Sequence, residues 1–488
     1  MALKADALRY AVRPRVLAKY FGQVCLVLSL LTVAPLLVSV FADEPLLMSR
    51  YFAVALVLAG IGWILSRLKA PARVQANEGM VLVALTFLVG PILSTYTFMG
   101  SGIGFEEALF EAISGITTTG LTALGHMESR SPTFLFARAW IQWYGGLGIV
   151  VLSLAFVTQP GLATKGLATT ENIEDNLIGG IKAYAWRILV VYVSLTAVGY
   201  CVLWLTGIPA FPALLYTLSA ISTGGFAPND ASLAALHAWP AQTAVIVLCL
   251  SGALPLALFY GATQIRRIPS ANRAQLYALG ASGIVLCTLL LLICTGSEGL
   301  TGIEAFRSTM FLAVSAQTTA GFSTMDMAGL VNAVKLILIA SMIIGGSTGS
   351  TAGGIKLFRL LIVLQLIRVV VLRACLPRHA VWEVRIAGRR IGESEIREAL
   401  VLIVLFVILI GLSWFPFIAM GYDPLDSLFE IVSATGTVGL SAGITAPELP
   451  AILKSVLCAD MLLGRLEIVT WLVFAYPGTW IGRRLEEA

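Results

Sequence analysis

Apolar segments of 18 or more residues recur along the 488-residue chain, and they constrain its fold more than any other feature. A helix needs about 20 such residues to cross roughly 30 Å of hydrocarbon. The chain is 58% hydrophobic and only 12% charged, unlike a soluble domain. These observations predict an all-α polytopic membrane protein. The net charge of +5 does not indicate a nucleic-acid partner, because the basic residues lie in short clusters between apolar segments.

The hydropathy pattern predicts ten membrane helices, and ten crossings place both termini on the same side. Their expected positions are 20–42, 50–68, 78–98, 136–158, 184–206, 240–264, 275–296, 333–372, 398–420 and 448–480. One set of connections holds most of the basic residues, including Lys4, Arg9, Lys165, Arg266, Arg267, those from Arg368 to Arg397, Arg483 and Arg484. By the positive-inside rule, this side and both termini are expected in the cytoplasm. The basic N-terminus is then a cytoplasmic tail and not a removable signal peptide.

Four polar stretches inside this apolar chain share one internal spacing, in which a Gly stands six residues after a Ser. They read SGITTTGLTA from Ser114, SAISTGGFAP from Ser219, SAQTTAGFST from Ser315 and SATGTVGLSA from Ser433. Each follows a segment that opens near an acid or a proline, as helices do. About 12 helical residues rise roughly 18 Å, half the hydrocarbon thickness. The pattern therefore predicts a fourfold repeat of helix, half-helix, extended loop and helix.

Cation binding explains four polar loops at membrane depth. Non-helical backbone is tolerated there only where protein or a water-filled cavity surrounds it. Carbonyls from four such loops can replace the hydration shell of a cation, and the negative ends of the half-helices favour a cation at the same centre. The alternative is a set of glycine-mediated helix contacts. That alternative accounts for one motif more readily than for four at matched spacing.

The motifs TTTG (117–120), STGG (222–225), TTAG (318–321) and GTVG (436–439) resemble those of the Trk/Ktr/HKT superfamily of potassium transporters. The similarity extends over essentially the whole chain and is greatest to the bacterial TrkH branch. It implies four pseudo-symmetric helix–pore-helix–loop–helix repeats around one central pore, plus two extra N-terminal transmembrane helices. The implied divisions are 1–70 for the tail and the extra helices, then 71–165, 166–268, 269–390 and 391–488 for the four repeats.

The resemblance further implies that the four motifs form a K+ filter. The last glycine of each motif is its filter glycine, and the backbone carbonyls at and just before this glycine are expected to bind K+. The residues concerned are Thr118, Thr119, Gly120, Thr223, Gly224, Gly225, Thr319, Ala320, Gly321, Thr437, Val438 and Gly439. Members of the superfamily that favour Na+ carry Ser in place of the glycine in the first repeat. Gly120 therefore favours K+.

The stretch GGSTGSTAGG, residues 345–354, interrupts the eighth predicted span. Its five glycines in ten positions oppose a stable helix. The resemblance implies an intramembrane gate that obstructs the pore and moves to open it, formed by Gly345, Gly346, Ser347, Thr348, Gly349, Ser350, Thr351, Ala352, Gly353 and Gly354. A phosphate-binding loop and a passive kink are the alternatives. The first lacks the Walker pattern G-x-x-x-x-G-K-[ST].

Arg465 lies near the middle of the last predicted span, where a charge is costly and by default functional. The resemblance places an arginine just beneath the filter, where its charge would restrict cation flux. The alternative is a structural pairing with Asp460 or Glu467. Seven acids are expected near the outer mouth, either concentrating cations or capping half-helices: Glu106, Glu107, Glu111, Asp230, Asp326, Asp426 and Glu430.

The predicted function is K+ uptake across the bacterial inner membrane, with no enzymatic activity and no cofactor bound by this chain. The resemblance implies a homodimer in membrane lipid and a cytoplasmic TrkA-type regulatory subunit that binds NAD or ATP/ADP. Its expected contacts are residues 373–397 and the inner end of the gate. A Na+-permeable transporter or a Na+/H+-coupled K+ symporter is the alternative within transport. The other two alternatives are a membrane enzyme and a structural anchor subunit. The sequence offers no intramembrane His/Asp/Ser or HExxH motif that would support an enzyme.

Overall fold

The structure, a computed structural model, describes residues 11–71, 74–157, 177–260, 270–297, 302–375, 377 and 383–482. Helices α1 to α8 span Pro14–Phe41, Pro45–Ser66, Ala76–Phe98, Phe105–Ile116, Pro132–Val157, Leu177–Leu205, Ala210–Ile221 and Trp239–Ala253. Helices α9 to α13 span Ala257–Tyr260, Ser270–Ser297, Gly302–Gln317, Asn332–Ile344 and Leu357–Ala374. Helices α14 to α18 span Glu393–Ala419, Pro424–Thr435, Ala451–Arg465, Ile468–Ala475 and Pro477–Trp480. Two short strands, β1 (Arg385–Ile386) and β2 (Arg389–Arg390), form an antiparallel hairpin.

The all-α membrane class is confirmed. Among the described residues, six helices are long and apolar enough to cross a membrane. They are Pro14–Phe41, Pro45–Ser66, Ala76–Ser101, Ala185–Leu205, Ala271–Gly296 and Glu393–Ala419. Each of the ten predicted spans contains helix among its described residues, and the eighth is interrupted between α12 and α13 as expected.

Two of the predicted spans are not continuous helices, so their prediction as single helices is wrong. The span 240–264 ends as α8 at Ala253, because Pro255 cannot continue the helix and holds Leu254 in an extended conformation. The span 448–480 is three helices, since Glu467 takes a left-handed conformation between α16 and α17, and Tyr476 is extended between α17 and α18. Arg465 is consequently the last residue of α16 and not the middle of a span. Lys4, Arg9, Lys165, Arg266, Arg267, Arg483 and Arg484, which contribute to the predicted orientation, lie outside the described residues, as do positions 376 and 378–382 of the predicted partner contact.

The described residues form two compact units, one drawn from 1–113, 129–137 and 466–488 and the other from 114–128 and 138–465. In the first unit α1 and α2 pack closely where Gly22 faces Leu65, and where Gly62 faces Leu26. A buried ion pair joins the guanidinium of Arg13 to Glu78, with Nε–Oε1 at 2.8 Å and Nη2–Oε2 at 2.9 Å. The domain boundaries expected from the repeat stay predictions.

The four half-helices of the sequence pattern are α4, α7, α11 and α15, which contain 12, 12, 16 and 12 residues. Their first turns explain where they begin. Glu106, Glu107 and Glu304 stand in the first turns of α4 and α11, where the helix dipole favours acids. At α15, Asp423 caps the helix by accepting the N–H of Leu425 (2.9 Å). All four lead directly into the predicted filter segments, which are residues 117–120, 222–225, 318–321 and 436–439.

Candidate functional site

The four half-helices end in the same hydrogen-bond pattern. The N–H of residue i+5 donates to the carbonyl of the motif serine, i, at 2.8 to 2.9 Å: Thr119 to Ser114, Gly224 to Ser219, Ala320 to Ser315 and Val438 to Ser433. The N–H of residue i+4 donates to the carbonyl of residue i+1 at 2.9 to 3.2 Å, from Thr118, Thr223, Thr319 and Thr437. Together these bonds form a Schellman motif, which satisfies the last carbonyls of a helix. The serine spacing is therefore that of a helix ending.

Threonine occupies the left-handed position of this motif in all four repeats. The φ angles of Thr118, Thr223, Thr319 and Thr437 lie between 50° and 55°. Glycine is the usual residue here, and a β-branched residue in this conformation is strained. The filter glycine two positions later is left-handed as well, with φ between 71° and 95° in Gly120, Gly225, Gly321 and Gly439. Since φ changes sign at each step, successive carbonyls need not alternate between two faces as they do along a strand.

The four filter segments contact one another in cyclic order. A Cβ atom built on Gly120 would overlap the carbonyl oxygen of Gly224, and one on Gly225 would overlap that of Ala320. One on Gly321 would overlap the oxygen of Val438, and one on Gly439 that of Thr119. The contacts thus run from the first repeat to the second, third and fourth and back to the first. Four of the carbonyls expected to bind K+, those of Thr119, Gly224, Ala320 and Val438, therefore lie in one closed ring of contacts.

Accessibility changes at the glycine of each segment. The two residues before it are buried in all four repeats, with exposed fractions of 0 to 1% where a side chain is present. Gly120, Gly225, Gly321 and Gly439 are partly exposed. The ring therefore borders an accessible space at its glycines, while the residues that support it are enclosed in protein.

The motif serines differ between the repeats. The Oγ atoms of Ser114 and Ser433 accept the N–H of Gly120 (3.1 Å) and Gly439 (3.0 Å), which fixes the filter glycine to its own half-helix. The Oγ atoms of Ser219 and Ser315 are buried and have no hydrogen-bond partner among the described residues. The first and fourth segments are therefore fastened by a contact that the other two lack.

Residues 345–354 are non-helical, as the sequence predicts, and Thr351 fastens them to three helices. Its N–H donates to the carbonyl of Gly252 on α8 (3.0 Å), and its hydroxyl contacts that carbonyl (3.0 Å) and the carbonyl of Ile221 at the end of α7 (3.1 Å). Its own carbonyl accepts Nη1 of Arg465 (2.8 Å). Ser347 and Thr351 are fully buried, so this loop is part of the packed interior.

The loop also contacts three of the four filter segments. The hydroxyl of Thr223 lies 3.3 Å from that of Thr351, and the N–H of Gly353 donates to the hydroxyl of Thr319 (2.7 Å). A Cβ atom on Gly353 would overlap the hydroxyl of Thr437 and the neighbouring carbonyl of Gly436. The hydroxyls of Thr118 and Thr437 have no hydrogen-bond partner in the described part of the chain. The loop thus packs against the threonine end of the filter segments, on the side away from the glycines.

Arg465 is buried, with 6% of its surface exposed, and its hydrogen bond goes to the loop. Its Nε and Nη2 atoms have no hydrogen-bond partner among the described residues. Asp460 instead accepts the hydroxyl of Ser413 (2.6 Å), so the alternative pairing of Arg465 with Asp460 is not observed. The guanidinium is left as a fixed charge beside the loop.

Among the acids expected at the outer mouth, Asp426, Asp326, Glu430 and Asp230 make structural contacts. Asp426 pairs with the buried Lys335 (2.6 Å), and Asp326 accepts the N–H of Ala328 (3.0 Å). Glu430 is fully buried and accepts the hydroxyl of Thr445 (2.8 Å), which fixes the segment after the fourth filter glycine. These contacts favour a structural role over cation concentration.

The fourth of these acids, Asp230, joins the segments that follow the first two filters. Its carboxylate accepts the N–H groups of His126 (2.8 Å) and Met127 (3.0 Å), and its own N–H donates to Glu128 (3.0 Å). Backbone N–H groups, first that of Glu128 itself and then that of Asp230, hold the pKa of the Glu128 carboxyl below its usual range. Both acids serve to join two loops.

Two further features were not predicted from the sequence. Gln142 on α5 donates its amide N–H to the carbonyl of Gly224 and accepts the N–H of Phe226 (3.2 Å), so it spans the second filter glycine. In addition, Gly145, Gly252 and Gly464 each face the last helical carbonyl of a half-helix, those of Ile116, Ile221 and Thr435. These glycines stand 29 to 31 residues after the helix end, and this second spacing in the sequence could have revealed them.

Comparison with known proteins gives one consistent result. The family model described as TrkH, cation transport protein, matches residues 47–295 and 274–479. The chain is 29% identical to the Trk system potassium uptake protein TrkH of Halomonas elongata, over 96% of this chain and 99% of that protein. It is 28% identical to the Trk system potassium uptake protein TrkH of Salmonella typhimurium, over 88% of this chain and 92% of that protein.

A solved structure agrees with these relatives. The potassium transporter TrkH from Vibrio parahaemolyticus superimposes with a TM-score of 0.85 at 25% identity, covering 96% of this chain and 100% of that one. The resemblance drawn from the four filter motifs is thereby confirmed. The chain belongs to the TrkH family of cation transport proteins.

Proposed function

We propose that this protein takes up K+ across the bacterial inner membrane through one pore per chain. The observation that carries the proposal is the closed ring of Thr119, Gly224, Ala320 and Val438 carbonyls against the four filter glycines. Backbone oxygens without a fixed carboxylate suit a monovalent cation that must bind and also leave. Gly120 at the first filter position favours K+ over Na+, by the family pattern. The relatives are potassium transporters by name, which supports the same ion.

The loop at 345–354 acts as the gate in this proposal. Its support is its contact with the threonine end of three filter segments and the full burial of Ser347 and Thr351. Arg465 adds a positive charge on the same route and holds the loop by one hydrogen bond. Opening requires the loop to leave Thr223 and Thr319.

Control of the gate comes from outside this chain. The proposed partner is a cytoplasmic TrkA-type subunit that binds NAD or ATP/ADP, and the chain works as a homodimer with both termini in the cytoplasm. The relatives' designation as components of a Trk system supports a partner subunit. The contact is proposed at residues 373–397, where the hairpin β1–β2 carries Arg385, Arg389 and Arg390.

The test is transport by the purified chain in vesicles, measured as K+ and as Na+ uptake on separate gradients. K+ uptake that exceeds Na+ uptake supports the proposal, whereas Na+ uptake equal to or above that of K+ would favour the Na+-permeable alternative. A K+ flux that needs a Na+ or H+ gradient would favour the coupled symporter. Restored growth of a K+-uptake-deficient bacterium at low K+ is the matching test in cells.

A pair of glycine variants tests whether K+ passes through the ring of four carbonyls. Gly225→Ala places a methyl group against the Ala320 carbonyl and should abolish uptake. Gly207→Ala is the matched control, because Gly207 has a similar φ (91° against 80°) but nothing within 4 Å of the added atom. Both variants carry the strain of a left-handed alanine, of order 1 kcal/mol. Retained uptake in Gly225→Ala would remove the ring from the pathway.

A further inference from the structure

The second filter segment departs from the others at the position before its glycine. The first, third and fourth repeats carry Thr119, Ala320 and Val438 there, whereas the second carries Gly224. Gly224 does not have the left-handed backbone that would require glycine. Backbone conformation therefore does not explain the choice of residue.

Gln142 does explain it. A Cβ atom on Gly224 would overlap the side-chain amide of Gln142, which occupies the space that a side chain fills in the other repeats. The amide makes two hydrogen bonds there, one from Nε2 to the Gly224 carbonyl and one from the Phe226 N–H to Oε1. Gln142 is fully buried, so both bonds are shielded from water. The glycine makes room for the glutamine.

We propose that Gln142 is a specificity-determining residue of the filter, acting on the Gly224 carbonyl. The inference rests on the proposed function, in which this carbonyl is one of the ring that binds the cation. The N–H bond draws electron density from the oxygen and fixes it in position. Both effects oppose a smaller ion, since Na+ requires oxygens of higher field strength that approach more closely. The ring is therefore asymmetric, with one carbonyl shared between the cation and an amide.

Removing the amide should lower discrimination between K+ and Na+. In Gln142→Leu both hydrogen bonds are lost while the side chain keeps a similar volume. We expect the K+/Na+ permeability ratio to fall between about twofold and tenfold, the range that one hydrogen bond supports. Gly224→Ala should give the same fall by a different route, because its methyl group displaces the amide, while Ala320 shows that alanine is compatible with the filter backbone.

The double variant Gln142→Leu/Gly224→Ala decides the mechanism. If both changes act by separating the amide from the carbonyl, the double variant shows the ratio of either single variant and not the product of the two effects. Gln242→Leu is the matched control. Gln242 is also buried and its amide binds the carbonyls of Leu233 (3.1 Å) and Leu236 (2.7 Å), outside the filter. Its loss should leave the ratio unchanged.

Permeability ratios are measured in vesicles from reversal potentials or paired K+ and Na+ uptake, beside a thermal unfolding curve of each variant. An unchanged ratio in Gln142→Leu with K+ transport intact overturns the inference, as does additivity in the double variant. If Gln142→Leu does not assemble, Gly224→Ala alone decides by the same ratio. Wild-type protein that neither carries K+ in vesicles nor restores growth of a K+-uptake-deficient bacterium at low K+ would contradict the proposed function instead, and this is known before any variant is compared.

Discussion

At the scale of single residues, a buried threonine holds the left-handed position at the end of each half-helix, and we expect it to make the filter segments rigid. Glycine would adopt this conformation without strain but would also leave it easily. A β-branched side chain is stiff at χ1 and, once enclosed, confines the backbone on both sides of it. Thr118, Thr223, Thr319 and Thr437 are all buried, so the packing around them maintains the strained state. Strain of this kind is typical of sites where geometry must be preorganised.

The motif serines allow a test of how the filter glycines are held. Ser433→Ala removes the hydrogen bond from the Gly439 N–H to Oγ, whereas Ser219→Ala removes a hydroxyl that has no such partner. We expect Ser433→Ala to lower the free energy of unfolding by about 1 kcal/mol more than Ser219→Ala. Thermal unfolding of the two variants in detergent, with and without K+, measures the difference. Equal midpoints would show that the serine hydroxyl does not support the filter.

Two substitutions of Arg465 separate the effect of its positive charge on K+ flux from the effect of its hydrogen bond to Thr351. Arg465→Ala removes the positive charge and the bond to Thr351, and we expect K+ flux to rise severalfold as an electrostatic barrier disappears. Arg465→Lys retains the charge and should keep flux near that of the wild type. Flux per unit of reconstituted protein is the measurement. Low flux in both variants would contradict a role in restricting the pore.

At the scale of elements, the loop at 345–354, here called the glycine loop, begins where the third repeat lacks a close contact between helices that the other three repeats have. Gly145, Gly252 and Gly464 bring α5, α8 and α16 against the ends of half-helices α4, α7 and α15. The corresponding residue of the third repeat is Gly346, which contacts Ala352 of its own loop instead. The loop therefore begins where the other three repeats have this close helix contact, a difference that agrees with its proposed role as the gate.

Thr351 is the residue that should control this displacement. Thr351→Val preserves shape but removes the hydroxyl contacts with Ile221, Gly252 and Thr223. A loss of about 1 to 2 kcal/mol from the closed state would raise the open-to-closed ratio between about fivefold and thirtyfold. Basal K+ flux should rise accordingly, measured in vesicles without any partner subunit.

Thr348→Val provides the control from the same loop. Thr348 is half-buried, and its bond is made by the backbone N–H to Gln275 (2.8 Å), which the substitution leaves intact. Flux in this variant should match that of the wild type. A rise in Thr348→Val equal to that in Thr351→Val would mean that polarity of the loop, and not the Thr351 contacts, sets the closed state.

The elements differ in how far their sequence specifies them. The half-helices were predictable, because acids and prolines at their starts and the serine spacing at their ends are local signals. The break at Leu466–Glu467 was not, since its left-handed residue is Glu467 and not the glycine or proline that marks a helix end. Gln142 escaped prediction because it contacts the filter from a helix 82 residues away along the chain. Local patterns cannot report such a pairing.

At the scale of the whole molecule, building the ring from one polypeptide permits the repeats to diverge. A symmetric tetramer must repeat every contact four times, but here each repeat has its own support: a serine hydroxyl in the first and fourth, Gln142 in the second and the glycine loop in the third. The ring of contacts is fourfold, while the groups that contact its four segments are not. If the proposed function holds, we expect substitutions to change selectivity or gating at one repeat without altering the other three.

The predicted orientation of the chain in the membrane can be tested through its cysteines. Cys375 is exposed just after α13, in the segment whose basic residues predict a cytoplasmic location. A membrane-impermeant maleimide should leave Cys375 unlabelled in intact cells and label it in inverted vesicles. His237→Cys, made in a Cys375→Ser background at an exposed position after the second filter, should give the opposite result. Labelling of Cys375 from outside would reverse the membrane sidedness of the filter and the loop, and export would then replace uptake as the simplest direction of transport.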